Sequence, residues 1–250
     1  MIRLAQFGVI ALALVLWELV VKLGLVSNRI LAAPSEAFAA LQVVLADPRV
    51  LESIWITTQE LALATLFAVP TGVLLGFVVG ESAAARRIFA PVLYIGTAVP
   101  KSLFLPLFIL VLGIGMNQKV VFGVVQAFFV VAVSTLVAVQ GVPTGLTLVG
   151  RALQASRSQM YFKIYLPYML PVILQGVRVG VIYAAGGILF AEMYAARGGL
   201  GRMINIWGSS YDLPKMLAGA LLAGLGAIAV NSALRICEDR VGRWRGAGAA

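Results

Sequence analysis

Six long apolar runs set the pattern of hydrophobic and polar positions along this 250-residue chain. They cover Leu4 to Val26, Thr57 to Gly80, Ile88 to Leu112, Val120 to Gly141, Ile164 to Ala191 and Met216 to Ile236. Each reaches the roughly 20 residues that a helix needs to cross a bilayer. The pattern predicts an all-α membrane protein of about six spans, organised as one transmembrane domain over residues 1–250. The first run exceeds the 7–15 apolar residues of a secretory signal, and the "ILAAPS" after it is a poor cleavage site, so a retained helix is expected.

Three polar stretches between the runs are too long for simple turns. Within Asn28 to Ile56, Pro34 and Ser35 precede a short helix that Asp47-Pro48 would end, with Ser35 as its N-cap. Arg197 to Lys215 has the look of a short amphipathic segment. In the third stretch, Pro143 is expected to start a helix over Thr144 to Met160. There Leu146, Leu148, Val149 and Leu153 form an apolar stripe, while Arg151, Gln154 and Arg157 point elsewhere. Such a helix either lies on a membrane surface or docks a soluble partner.

Composition supports the membrane reading: 61% of residues are hydrophobic and 12% charged, against about 25% charged in soluble domains. The net charge of +9 would suit nucleic acid in a soluble protein. Here the basic residues lie between and beside the apolar runs, where positive-inside topology accounts for them and no nucleic-acid partner is expected. That rule puts Arg3, Arg86, Arg87, Arg151, Arg157, Lys163, Arg240, Arg243 and Arg245 on the cytoplasmic side, with both termini. Arg29, Arg49, Lys119, Arg197, Arg202 and Lys215 fall on the other. The chain has no histidine and one cysteine, Cys237, so zinc sites and Ser-His-Asp chemistry lack their commonest side chain.

Charges inside apolar runs need a partner, a wet cavity or a route to the interface. Glu18 and Lys22 have the i, i+4 spacing of a local pair. Lys101 follows Pro100 and either snorkels or lies near a translocation path. Arg178 sits about 21 Å along the fifth run at the helical rise, and Glu192 lies about four turns further on nearly the same face. Arg178, Tyr183 and Glu192 could mark one wet stripe, or Arg178 could bind carbonyls or an acid on a neighbouring helix. Gly176, Gly180 and Ala184 form small-xxx-small pairs that let helices approach closely. Pro70, Pro91, Pro100 and Pro106 are expected at kinks or at the ends of broken helices.

The segment "RALQASRSQMYFKIYLPYMLPVILQGVRVGV" resembles the cytoplasmic signature of ABC importer permeases, whose short coupling helix fits a groove on an ATPase subunit. The family pattern is Glu-Ala-Ala, a Gly four residues later, then Ile-x-Leu-Pro ten residues on. Ile164-Tyr165-Leu166-Pro167 matches its end, and Ala155-Ser156 the residues after the Gly. Leu148-Val149-Gly150 stands in place of Glu-Ala-Ala, and Gln154 in place of the Gly. "VPKSLFLPLFILVLGIGMNQKVV", "FAEMYAARGGLGRMI" and "LAAPSEAF" are similar to the nitrate/sulfonate/taurine branch of the same family.

The resemblance implies a type I importer permease in a bacterial cytoplasmic (inner) membrane. Its expected partners are a cytoplasmic ATPase dimer, a second copy or a related permease, and a periplasmic or lipid-anchored solute-binding protein. It implies ATPase coupling through Leu148, Arg151, Gln154, Ala155, Ser156, Leu166 and Pro167, while the charges inside the apolar runs make Lys101, Arg178, Tyr183 and Glu192 the candidates for the solute path. No G-x-x-x-x-G-K-[ST] loop occurs, so no cofactor is expected on this chain, with ATP and magnesium held by the partner. The alternatives are a secondary carrier, which usually shows an internal repeat, and an intramembrane enzyme, which would want clustered acids or histidines.

Overall fold

The structure, a computed structural model, describes residues 2–27 and 30–246, with side chains for 6, 8–27 and 30–240. Arg29 and the side chains of Arg3, Arg243 and Arg245 lie outside it. Among the described residues the chain is helical, without strands: α1 Ile2–Lys22, α2 Pro34–Ala46, α3 Pro48–Glu81, α4 Ala83–Ala98, α5 Leu105–Leu112, α6 Met116–Gln140, α7 Thr144–Ala152, α8 Arg157–Met160, α9 Leu166–Tyr194, α10 Leu200–Ser209 and α11 Leu213–Gly246. By length and apolarity α3, α6, the α8–α9 stretch and α11 can each cross a membrane, and α4 with the segment Lys101–Leu112 forms an apolar pair bent by 84°, a broken span or a re-entrant loop. The 21-residue α1 coincides with the first apolar run.

The bend has a local cause. Proline restricts the residue before it to extended backbone, and Val99 has φ −65°, ψ 128°. Helix α4 therefore stops at Ala98, a 3₁₀ turn follows over Lys101–Phe104, and α5 restarts with Pro106 in its first turn, where a missing N–H has no partner to lose. Pro70 and Pro91 lie inside α3 and α4.

Contacts divide the chain into two compact units, Met1–Thr58 with Leu189–Gly226, and Gln59–Ile188 with Ala227–Ala250. The first has a core of Val44, Val50, Leu200, Trp207 and Ala218. Gly219 is needed there, because a Cβ would stand 2.8 Å from the Trp207 ring. Helix α2 begins two residues earlier than Ser35 as N-cap would set it. Ala33 is the N-cap, Pro34 takes the first helical position, and Glu36 Oε2 accepts from the Ala33 N–H at 3.1 Å. Ser35 instead bonds α1: its N–H and hydroxyl donate to Glu18 at 3.0 and 2.6 Å. Glu18 also pairs with Lys22 at 2.8 Å, as the spacing predicts.

The second unit is built on α6, whose buried face includes Phe122, Ala127, Val131, Ala132 and Leu136. Helix α9 approaches it at Gly180, where a Cβ would lie 2.8 Å from Val131, and Ala184 packs with Ala68 and Ala127. This is the small-residue contact expected of α9. A second stripe, Gly72, Gly76 and Gly80 on α3, meets α6 at Val131, Ala132 and Val139. With lipid on the outside there is little hydrophobic drive between helices, so this close backbone approach supplies the packing energy.

Candidate functional site

The stretch expected as one helix over 144–160 is two helices joined by a turn. Helix α7 starts after Pro143 and ends with Leu153 as its C-cap. Gln154 then takes a left-handed conformation, φ +54°. Its N–H donates to Arg151 O at 2.9 Å, and the Ala155 N–H to Gly150 O at 3.0 Å. These two bonds form a Schellman motif, which satisfies carbonyls a helix end would otherwise leave open. Glycine adopts this conformation without the penalty a Cβ incurs, so Gln154 occupies a glycine-type position. It is also the position at which the resembling pattern has its Gly.

Ser156 opens the next helix. Its hydroxyl accepts from the Gln159 N–H at 3.3 Å, while its own N–H donates to Gln159 Oε1 at 2.9 Å. This capping box satisfies donors in both directions. Gly150 is buried, and a Cβ there would stand 2.5 Å from Met160 Sδ and 2.6 Å from Ile164. Glycine therefore seats α7 against the start of the following span. Backbone and packing thus fix the turn from within.

A π-turn over Tyr161–Tyr165 leads into α9, with the Leu166 N–H bonded to Tyr161 O. The Pro167 ring would crowd the carbonyl of Lys163 in a continuous α-helix. A π-turn at that point accommodates the proline while the helix continues. Pro171 lies inside α9.

The side chains of this segment face outward. Leu148, Val149, Leu153 and Phe162 are exposed, Leu153 at 77%. Arg151 and Arg157 line an open cleft of about 320 Å³ with Ala155, Met160, Tyr161 and Tyr165. The Tyr161 hydroxyl donates to Glu81 at 2.7 Å, and its ring stands edge-on to Tyr165, centroids 5.2 Å apart.

The charged residues of the apolar runs occupy several separate settings. Lys101 is buried; its ammonium donates to Gly96 O at 2.8 Å and lies 5.6 Å from the Phe129 centroid. Arg178 has the neighbouring-helix acid that was one of its two expected settings: Nε pairs with Glu238 at 2.9 Å, and Nη1 donates to Asn231 at 3.3 Å. Tyr183 is exposed. Glu192 is buried at the start of α10, where Oε2 accepts from the Gly201 N–H and Oε1 from the Thr57 hydroxyl, both at 2.7 Å. The Thr57 oxygen accepts in turn from the Leu200 N–H at 2.9 Å. Gly199, φ +113°, lies so close that a Cβ would overlap the Glu192 carboxylate. The Ala-Glu-Met and Gly-Leu-Gly segments are thus two parts of one helix cap.

Lys119, expected in an outer loop, lies in the first turn of α6, buried and ion-paired with Glu60. Beside it Gln118 is fully buried, and no described residue bonds its amide. Such a group calls for an ordered water. Glu60, Gln118, Thr57 and Glu238 escaped sequence reasoning. Glu60 left a signal, as a lone acid inside the second apolar run; its partner is set by packing and left none.

Residues 68–243 match the family described as "Binding-protein-dependent transport system inner membrane component". The chain belongs to this family. The permease is similar to the taurine transport system permease protein TauC of Escherichia coli K12, 29% identical over 96% of this chain and 90% of that one. It is also similar to the putative aliphatic sulfonates transport permease protein SsuC of Bacillus subtilis 168, 27% identical over 94% and 85%. Among solved structures it resembles a chain of the MetNI methionine ABC transporter in an inward-facing conformation, with a TM-score of 0.63 and 23% identity. That match covers 76% of this chain and 95% of the other, and shows a shared fold. The chain is therefore a multi-pass membrane protein and an ABC importer permease subunit.

Proposed function

We propose that this permease forms half of a translocation path for a small solute and opens it alternately to the two sides of the inner membrane. ATP and magnesium are held by a cytoplasmic ATPase dimer. A second permease, the same or related, completes the path, and a solute-binding protein delivers the solute from outside. Both termini are cytoplasmic. The similarity to taurine and aliphatic-sulfonate permeases favours a small anionic or organic solute, such as a sulfonate, a taurine-like zwitterion or nitrate.

The single observation that carries the coupling role is the α7–turn–α8 segment, fixed internally yet exposing Leu148, Val149 and Leu153. Energetically, apolar side chains on a rigid turn lose little on docking, because the ordering cost is already met. ATP-driven movement of the ATPases would pass through this turn and the π-turn into α9. Arg178, Tyr183, Lys101 and Glu192 remain candidates for the path or its support.

A pull-down of the tagged chain from its host in mild detergent tests the reading. It predicts recovery of an ATPase with a phosphate-binding loop. A chain recovered alone, under conditions that preserve known complexes, would instead favour a secondary carrier.

A further inference from the structure

The cleft between α7 and α8 has a charge that the chain itself does not answer. Arg151 and Arg157 line it, and among the described residues neither side chain forms an ion pair. From Ser82 to Ala191 the sequence contains no Asp or Glu at all. Glu81, just before that stretch, already accepts the Tyr161 hydroxyl. The cleft wall is rigid: Tyr161 is held by that bond, by an edge contact with Tyr165 and by a tilted ring contact with Phe77, and Met160 is clamped against Gly150. The cations therefore sit on a pre-formed surface, next to exposed Leu148, Val149 and Leu153.

We propose that the occupant of this cleft is a carboxylate side chain of the docked ATPase, so that docking combines an apolar contact with α7 and one or two Arg–carboxylate pairs. The reading rests on the coupling role proposed above and specifies the partner's chemistry. Guanidinium forks match carboxylates in bidentate geometry, and about 320 Å³ admits an Asp or Glu with its remaining water. A phospholipid headgroup would satisfy the same charge. The protein occupant is favoured because the cleft is continuous with apolar side chains on a short, capped turn, a surface shaped for a groove.

The test uses the whole complex recovered with the wild-type chain. In an Arg151→Lys, Arg157→Lys variant, a zero-length carbodiimide reagent should join a cleft lysine to an acidic residue of the ATPase, located by peptide mass. Arg151→Gln with Arg157→Gln should weaken ATPase retention about tenfold or more, and added salt should reduce the wild-type advantage. Ala155→Glu, which places the chain's own carboxylate in the cleft, should weaken it similarly. Retention unchanged by both variants, together with no ATPase cross-link, would overturn the acidic occupant. If retention in those variants still fell on Leu148→Ser, the docking role itself would stand. Retention that followed phosphatidylglycerol content in nanodiscs, without the cross-link, would assign the cleft to lipid and likewise overturn the proposal.

Discussion

Two connections in this permease are built around a residue with positive φ, and they use it in opposite ways. At Gly199 the polar groups turn inward: the Glu192 carboxylate, the Thr57 hydroxyl and the first N–H groups of α10 satisfy one another away from solvent. At Gln154 the backbone is equally well satisfied, by the Schellman bonds and the Ser156 box. There the side chains face out, apolar and basic, without ion-pair partners among the described residues. The first connection is complete in itself. The second is a finished scaffold with an unfinished surface, which is what a docking element requires.

The comparison predicts that the two sites fail differently. Glu192→Ala should cost the most, about 3 kcal/mol, because it strands the buried Gly201 N–H that had bonded a charged group and leaves the Thr57 hydroxyl only the Ser53 carbonyl. Thermal unfolding in detergent would show it; a change within about 0.5 kcal/mol would mean that the cap is not the self-contained unit described. Gly150→Val should come next, at about 2 kcal/mol of local strain. It should displace α7 from Met160 and Ile164 and reduce ATPase retention while the chain still inserts. Retention at wild-type level would show that the seat of α7 does not matter.

Ser156→Ala should remove one cap bond, worth about 1 kcal/mol, read as faster amide exchange at Gln159. The smallest effect has the opposite sign. Gln154→Gly should relieve the left-handed strain and stabilise the turn by about 1 kcal/mol, slowing exchange at Ala155, whereas Gln154→Val should speed it. A turn that loosened with glycine would contradict the φ-based account.

What the sequence made legible follows the physics of each signal. Long apolar runs mark helices irrespective of packing, and four of the six expected runs fall on helices long and apolar enough to cross a membrane. Pro100 marked the break in the third run because its effect on Val99 is local. The Glu18–Lys22 pair was readable from spacing alone. Gln154 was noticed as a departure, but its meaning required φ, which no side-chain pattern reports. Ser35 was taken as a cap because its type suits one; its hydroxyl was instead drawn to Glu18, seventeen residues away. Glu60–Lys119, Arg178–Glu238 and Thr57–Glu192 join residues far apart in the chain, and a single sequence gives no register between such helices. Gly72, Gly76 and Gly80 carried the same spacing as the α9 pair and were readable in principle.

The most direct test of the coupling role is a proximity measurement at the exposed turn. With Cys237→Ser removing the native thiol, Leu153→Cys places one reactive sulfur at the most exposed apolar position of the α7–α8 turn. A short photo-reactive maleimide attached there, in native membranes, should yield an adduct with an ATPase carrying a phosphate-binding loop. An adduct with lipid alone, in membranes where the ATPase is present, would contradict the claim that this turn is the joint through which transport is driven.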